Sequence, residues 1–320
     1  MKTSALRFLA CPQCQSDLCL STTKRDGGEV LEGRLSCQPC GTGYPITRGV
    51  ARFVGGPTYA SSFGRQWNWF KTVQLDSLSG TTESERMLAA STGWAACDYH
   101  GRLVLDAGVG AGRFAEIVAK NGGEVVGVDL TDAIDAAFAN IGRRPNVHLF
   151  QADIFAMPFR RECFDLAYSI GVLHHTPDTE GAFNRVAAVV KPGGEFAVYL
   201  YDRYGIGHHA SNVIRTITTR LPARLMFGLA TIAIPLYYLH RTPVVGNALQ
   251  LMLPISMHQH WRWRWLDTFD WYTPKYQWKF LYPEVYRWFE ANGFADVAIF
   301  DGPIRMRGTK SCASRSSTAA

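Results

Sequence analysis

The chain has 320 residues, 47% of them apolar and 19% charged, with a formal net charge of +6 and a pI near 8.9. That balance excludes a disordered chain and leaves room for one full-sized core with a small second one. The mildly basic charge permits an anionic partner, nucleic acid or membrane, without requiring either, and the short apolar run before Cys11 does not read as a secretory leader.

Near the N-terminus, Cys11-Pro12-Gln13-Cys14 and Cys37-Gln38-Pro39-Cys40 are two C-x-x-C pairs separated by 22 residues. This spacing suits a four-thiolate tetrahedral zinc site, each pair hooking a tight turn around the metal. Four thiolates close the coordination shell, so the expected Zn2+ is structural rather than catalytic. Gly33-Arg34-Leu35-Ser36 reads as a hairpin strand leading into the second pair. With Gly41-Thr42-Gly43-Tyr44-Pro45-Ile46 and Gly49-Val50 following, residues 1–55 resemble the Trm112-like zinc ribbons. Thiols kept free for a metal point to a reducing compartment, hence the cytoplasm. Cys19, Cys97, Cys163 and Cys312 lie outside the pattern and read as packing residues.

Gly55-Gly56-Pro57 ends the ribbon, and residues 56–100 read as a connector. Its aromatic-rich stretch, Ser62-Phe63-Gly64-Arg65-Gln66-Trp67-Asn68-Trp69-Phe70, fits packing across a domain boundary or a helix that covers a neighbouring site.

The next block carries the chemistry. Leu103, Val104 and Leu105 read as a buried strand ending in Asp106 and the alternating glycines Gly108, Gly110 and Gly112, with a helix starting at Arg113. Strand, glycine turn and helix together let backbone approach a nucleotide closely. The spacing is G-x-G-x-G, and Arg113 stands where a dinucleotide fingerprint needs its third glycine, which argues against NAD. Glu124–Asp129 is a second strand ending in an acid about 20 residues on, placed for ribose hydroxyls. Val147–Gln151 ends in Ala152-Asp153, placed to meet an adenine edge, and Asp165–Ser169 runs into Ile170-Gly171-Val172-Leu173-His174-His175-Thr176-Pro177-Asp178. A helix over about 180–190, then Lys191-Pro192-Gly193-Gly194 and a fifth strand, Glu195–Tyr201, follow. Strands alternating with helices predict an α/β fold with a parallel sheet and its site at the strands' carboxyl ends.

From Leu103 to Tyr201 the chain resembles the class I S-adenosyl-L-methionine (SAM)-dependent methyltransferases. The resemblance implies a Rossmann-like fold with a mainly parallel sheet, joined here to the small zinc ribbon, and a SAM-binding core over 101–202. It implies cofactor contacts at Asp106, Gly108, Gly110, Gly112 and Asp129, Asp153 at the adenine, and Ser169, Ile170 and Gly171 at the amino-acid end. Val109 stands where relatives often have cysteine, a departure of little weight because backbone does the binding there. The segment G-V-L-H-H-T-P-D is similar to the branch acting on small molecules and quinone-like lipids. In similar enzymes an N-terminal helix closes over the cofactor, a role that would fall on Gln66 and Trp67.

Alternation stops over residues 203–282, an insertion expected to build the substrate lid. Val213, Ile214, Ile217 and Leu221 are at helical spacing, and Leu225–Leu239 is almost wholly apolar but too short to span a bilayer. A buried helix pair is the favoured reading. The other is a lid in peripheral contact with the inner face of a membrane through 221–241, with Arg215, Arg220, Arg224 and Arg241 flanking the apolar run. In His258-Gln259-His260-Trp261-Arg262-Trp263-Arg264-Trp265 the three tryptophans share a side only if the segment is extended; they could stack on bases or on one another. Asp270-Trp271-Tyr272-Thr273-Pro274 resembles a segment bordering the substrate in related enzymes, which with Tyr201 makes Asp270, Tyr272 and Tyr276 candidate substrate contacts. Residues 283–308 close the core with a helix and strands, and 309–320 read as a flexible tail.

A methyl on a sulfonium is already activated, so alignment and exclusion of water are the main requirements, with a base needed only for a protonated nucleophile. His174 and His175 are the candidate catalytic residues; the bland reading is that one caps and the other packs. The implied function is SAM-dependent methyl transfer to a small-molecule or lipid-like acceptor by in-line displacement. An RNA base methyltransferase, with the ribbon touching RNA, and a non-catalytic SAM-binding scaffold are the alternatives. Scattered rather than massed basic residues count against nucleic acid.

Overall fold

A computed structural model describes residues 1–56, 59–60, 64, 67–204 and 208–312. Among them, four short strands, β1 (Cys19–Asp26), β2 (Glu29–Ser36), β3 (Gly43–Thr47) and β4 (Val50–Arg52), form an antiparallel meander around the two cysteine pairs. Seven more follow: β5 (Leu103–Ala107), β6 (Glu124–Asp129), β7 (Val147–Gln151), β8 (Phe164–Ile170), β9 (Val190–Tyr199), β10 (Phe294–Phe300) and β11 (Arg305–Lys310). All belong to one sheet in the order β1-β2-β3-β4-β7-β6-β5-β8-β9-β11-β10. Pairing is parallel from β4 through β9, then antiparallel to β11 and β10.

The helices are α1 (Asp76–Ser79), α2 (Glu83–Thr92), α3 (Arg113–Lys120), α4 (Ala133–Ile141) and α5 (Thr179–Val189); α6 (His208–Thr218), α7 (Ala223–Ala230), α8 (Ala233–His240), α9 (Val245–Met252) and α10 (Trp261–Tyr272) in the insertion; and α11 (Tyr282–Ala291). Local signals start two of them: Asp178 accepts from the Gly181 N–H at 2.9 Å to cap α5, and Glu284 accepts from Leu281 N–H at 2.7 Å beside Pro283 to open α11. Central strands are near-continuous Val, Leu and Ala runs because both faces are covered. Residues of α3 and α4 pack with Val104, Val125 and Leu166 on one face, and Phe183, Val186 and Phe289 from α5 and α11 pack with Leu105 and Val126 on the other.

The ribbon has no separate core. Phe8, Leu35 and Ile46 belong to the same buried cluster as Phe150, Phe164 and Phe183, and the Phe8 ring lies 6.2 Å from those of Phe150 and Phe159. β4 continues the central sheet, with Ala51 opposite Phe150 and Arg52 opposite Gln151. Arg52 clasps the Gln151 and Asp135 side chains at 2.8 and 2.7 Å.

Several local expectations change. The fifth strand, expected from Glu195 to Tyr201, runs from Val190 to Tyr199 and takes in Lys191-Pro192-Gly193-Gly194, where the ladder slips between Phe164 and Leu166. β11 reaches Lys310, so residues 309–310 are sheet and not tail; residues 313–320 of that expected tail lie outside the described ones. Trp261–Trp265 is helical, so spacing by two scatters the tryptophans: Trp263 is buried, Trp261 is exposed, and Trp265 stacks on Trp261 one turn away at 6.4 Å. The apolar run 225–239 is two helices, buried along Met226, Ala230, Ala233 and Tyr237 but exposed at Leu225, Leu229, Ile232 and Leu239. No helix among the described residues is long and apolar enough to cross a membrane.

Candidate active site

After β5 the chain turns through Gly108, Gly110 and Gly112 at φ of +105°, +53° and +94°. A side chain is strained in that region, and a Cβ on Gly108 would also sit 2.4 Å from the Val172 side chain. The turn is tied to the second strand's acid: Gly110 N–H donates to Asp129 Oδ2 at 3.0 Å. Asp129 Oδ1 accepts from the Thr131 N–H and hydroxyl at 2.9 and 2.7 Å. Burial raises the Asp129 pKa, while these donors pull it down. A carboxylate offers about four acceptor positions, so the three donors hold Asp129 in place and leave room for a hydroxyl.

The turn opens on a cavity of about 810 Å3. Gly108, Gly110, Asp129, Ile170 and Gly171 line it together with His175, Tyr199, Tyr201, Asp267, Asp270 and Arg305. Trp67 lines it beside the turn, close enough that a Cβ on Gly110 would lie 3.2 Å from its indole. Gln66 lies outside the described residues.

Other expected residues stand behind the lining. Asp106 is buried and accepts from Tyr168 Oη at 2.9 Å; burial raises its pKa to about 7 against that hydrogen bond. Ser169 Oγ donates to the Ala107 carbonyl at 2.7 Å, which joins β8 to the start of the glycine turn. Asp153 caps a single turn by accepting from Phe155 N–H at 3.0 Å, and the next residue, Ile154, faces the cavity. Gly112 precedes α3, packed close to Ile141.

The two histidines separate. His175 lines the cavity, and its Nδ1 lies 2.8 Å from the Tyr276 carbonyl. A carbonyl only accepts, so the proton sits on Nδ1 and the lone pair on Nε2. Burial lowers the His175 pKa to about 4, which keeps the ring neutral near pH 7. His174 is fully buried, with its ring 4.0 Å from that of Tyr201. Tyr272 is buried and donates to the Pro254 carbonyl at 2.7 Å, and Tyr276 meets His175 through its backbone.

Sequence reasoning missed Arg113, Trp263, Asp267 and Arg305 on the lining. Asp267 accepts from Ser256 Oγ at 3.1 Å, and burial raises its pKa to about 6. A signal existed: Trp263, Leu266, Asp267, Asp270 and Trp271 follow the i, i+3, i+4 spacing of one face of α10.

The ribbon cysteines converge away from this cavity. The sulfurs of Cys11, Cys14, Cys37 and Cys40 all lie within 4.8 Å of one another, with Cys14 to Cys37 at 3.4 Å and Cys11 to Cys40 at 3.6 Å. Zinc–sulfur bonds of about 2.3 Å place tetrahedral sulfurs about 3.8 Å apart, so the cluster fits such an ion. Each pair closes by an i+4 to i backbone hydrogen bond on a left-handed residue, Gln15 at φ 61° and Gly41 at φ 71°.

Comparison with known proteins bears on the same two blocks. Residues 105–198 match the family model for a methyltransferase domain, and residues 3–49 match the model for Trm112p-like proteins. The chain joins a methyltransferase domain to a Trm112p-like domain. The chain is 34% identical over 112 residues to sterol 24-C-methyltransferase ERG6 of Saccharomyces cerevisiae, covering 32% of this chain and 29% of that protein. It is 33% identical over 116 residues to the ubiquinone biosynthesis O-methyltransferase of Coxiella burnetii, covering 33% of this chain and 50% of that one. The chain thus spans half or less of the length of these curated relatives. A solved S-adenosylmethionine dependent methyltransferase from Mesorhizobium loti is similar at 27% identity and a TM-score of 0.34, over 39% of this chain and 55% of that one. The methyltransferase domain has the class I fold with its mostly parallel sheet.

Proposed function

We propose that this protein transfers the methyl group of SAM to a small-molecule or lipid-like acceptor. The observation that carries the reading is a cavity lined both by the glycine turn with Asp129 and by Tyr201, Asp267 and Asp270. Its size is near the upper end for small-molecule sites, enough for a cofactor and an acceptor side by side. The relatives named above are a sterol and a ubiquinone-biosynthesis methyltransferase, in keeping with an apolar or quinone-like acceptor.

When bound, SAM supplies a methyl group on a positively charged sulfur, open to in-line displacement by a nucleophile. Gly108 and Gly110 would let backbone approach it, Asp129 would take the ribose, and Ile170 and Gly171 would meet the amino-acid end. Trp67 would cover it and exclude water. Asp106 and Ser169 act by holding the turn and strand in place. His175, neutral and with its lone pair on Nε2, is the side chain that would accept a proton from an acceptor hydroxyl or acidic carbon. His174 supports Tyr201 by packing. Cys11, Cys14, Cys37 and Cys40 would hold a structural zinc. A lipid-like acceptor also implies peripheral contact with a membrane through 221–241.

Label transfer tests the reading. Purified protein and methyl-labelled SAM are incubated with a cell extract separated into RNA, protein, organic-soluble and small aqueous fractions. Label in the organic or small aqueous fraction is expected. Label confined to RNA would replace this reading with base methylation, and label in protein would overturn it as well.

A further inference from the structure

From Arg203 to Leu266 the chain contains seven arginines and no aspartate or glutamate. The remaining 26 lysines and arginines are matched by the chain's 27 acids, so the whole positive excess resides in this insertion. The same stretch concentrates exposed apolar surface. Of nineteen large exposed hydrophobic side chains among the described residues, eleven fall between Val213 and Met252. Tyr238 is 70% exposed, Val244 80% and Met252 72%, values unusual for so many apolar residues in so short a span.

The architecture holds these residues outward. α6, α7 and α8 all pack on α10, and α9 bridges α8 and α6. Two buried arginines staple the layer by donating to backbone carbonyls: Arg215 to Trp271 and Pro274, at 2.9 and 2.6 Å, and Arg264 to Ile234, His258 and Gln259. Trp265 Nε1 donates to the Phe227 carbonyl at 2.9 Å and fastens α7. The same helix, α10, also lines the cavity, through Asp267 and Asp270 among others. Arg220, Arg224, Arg241 and Arg262 are exposed, and among the described residues none of them is in an ion pair.

We infer that the outer face of α6–α9 seats the protein on an anionic phospholipid surface, with these arginines meeting the headgroups. Apolar side chains flanked by cations and free of carboxylates suit an anionic bilayer interface, where each arginine adds attraction and the apolar residues enter the headgroup boundary. An acidic protein partner would account for the arginines but not for the eleven apolar residues beside them. The inference deepens the lipid-like acceptor reading, because one helix, α10, both carries the docking layer and lines the cavity.

The test is co-sedimentation of the full chain with vesicles of phosphatidylcholine alone or mixed with phosphatidylglycerol. Neither SAM nor turnover is needed, so its result is separable from that of the methyl-transfer test. The wild type is expected to sediment with the mixed vesicles, more weakly with phosphatidylcholine and less at high salt. R220Q/R224Q should partition onto mixed vesicles about thirtyfold more weakly. L225S/L229S should lose binding to both, whereas L78S, at an exposed site outside the insertion, should behave as wild type. Wild type left in the supernatant, or both double variants binding unchanged, would overturn the inference. So would light scattering that shows a dimer abolished by L225S/L229S together with no vesicle binding, since a second copy would then own the face.

Discussion

At His175 the neighbouring carbonyl of Tyr276 decides the tautomer and burial decides the charge. With a pKa lowered to about 4, the ring is in its accepting form throughout neutral pH. Turnover should therefore be flat above about pH 6 and decline only toward about pH 4. His175→Ala should lower kcat on the order of a hundredfold for a protonated acceptor and leave SAM binding intact. A wild-type limb near pH 6 would instead implicate Asp267, whose carboxyl titrates there. Asp106 makes a prediction about stability. Its folded pKa of about 7 lies above the unfolded carboxylate value, so the native state binds more protons between about pH 4 and pH 7. Stability from this group is present at low pH and is lost as pH rises through that window. Denaturant titrations near pH 5 and pH 8 should show the decline in the wild type, and Asp106→Asn should flatten it.

Among the elements, the glycine turn is the least tolerant. Gly108→Ala meets both a left-handed φ and the Val172 side chain, and should cost about 1–3 kcal/mol in denaturant unfolding along with most SAM affinity. This element was legible because its signals are local: three glycines and the acids ending β5 and β6 lie within thirty residues. The rest of the cavity lining was not. Arg305 and Asp267 reach it from strands and helices remote in sequence, and only folding brings them to Tyr199 and His175. α10 was not legible for a different reason. Alternating Trp and Arg imitates the period of a strand, whereas the deciding pattern at Trp263, Leu266, Asp267 and Asp270 has the period of a helix. β11 carries Arg, Gly, Thr and Lys rather than an apolar run, and its place beside β9 depends on pairing that no local signal announces.

For the molecule as a whole, the shared buried cluster and the unbroken sheet imply that ribbon and methyltransferase domain unfold together. Calorimetry should show one transition, and a strong chelator should shift all of it downward; two resolved transitions would contradict this. The pairing of β4 with β7 has another consequence. An exposed sheet edge invites pairing with other chains, and this sheet guards both of its own: β1 ends in exposed Lys24, Arg25 and Asp26 with slipped register, and the β10 ladder slips between Ala295 and Ala298. β7 has no such guard, since all five of its residues are buried and its outer side is covered by β4. Loosening the ribbon would bare a flat, apolar edge at the centre of the fold. Zinc-starved protein should then be found in insoluble aggregates before it is found as an inactive soluble monomer, and the proposed zinc would then serve to keep these molecules apart from one another.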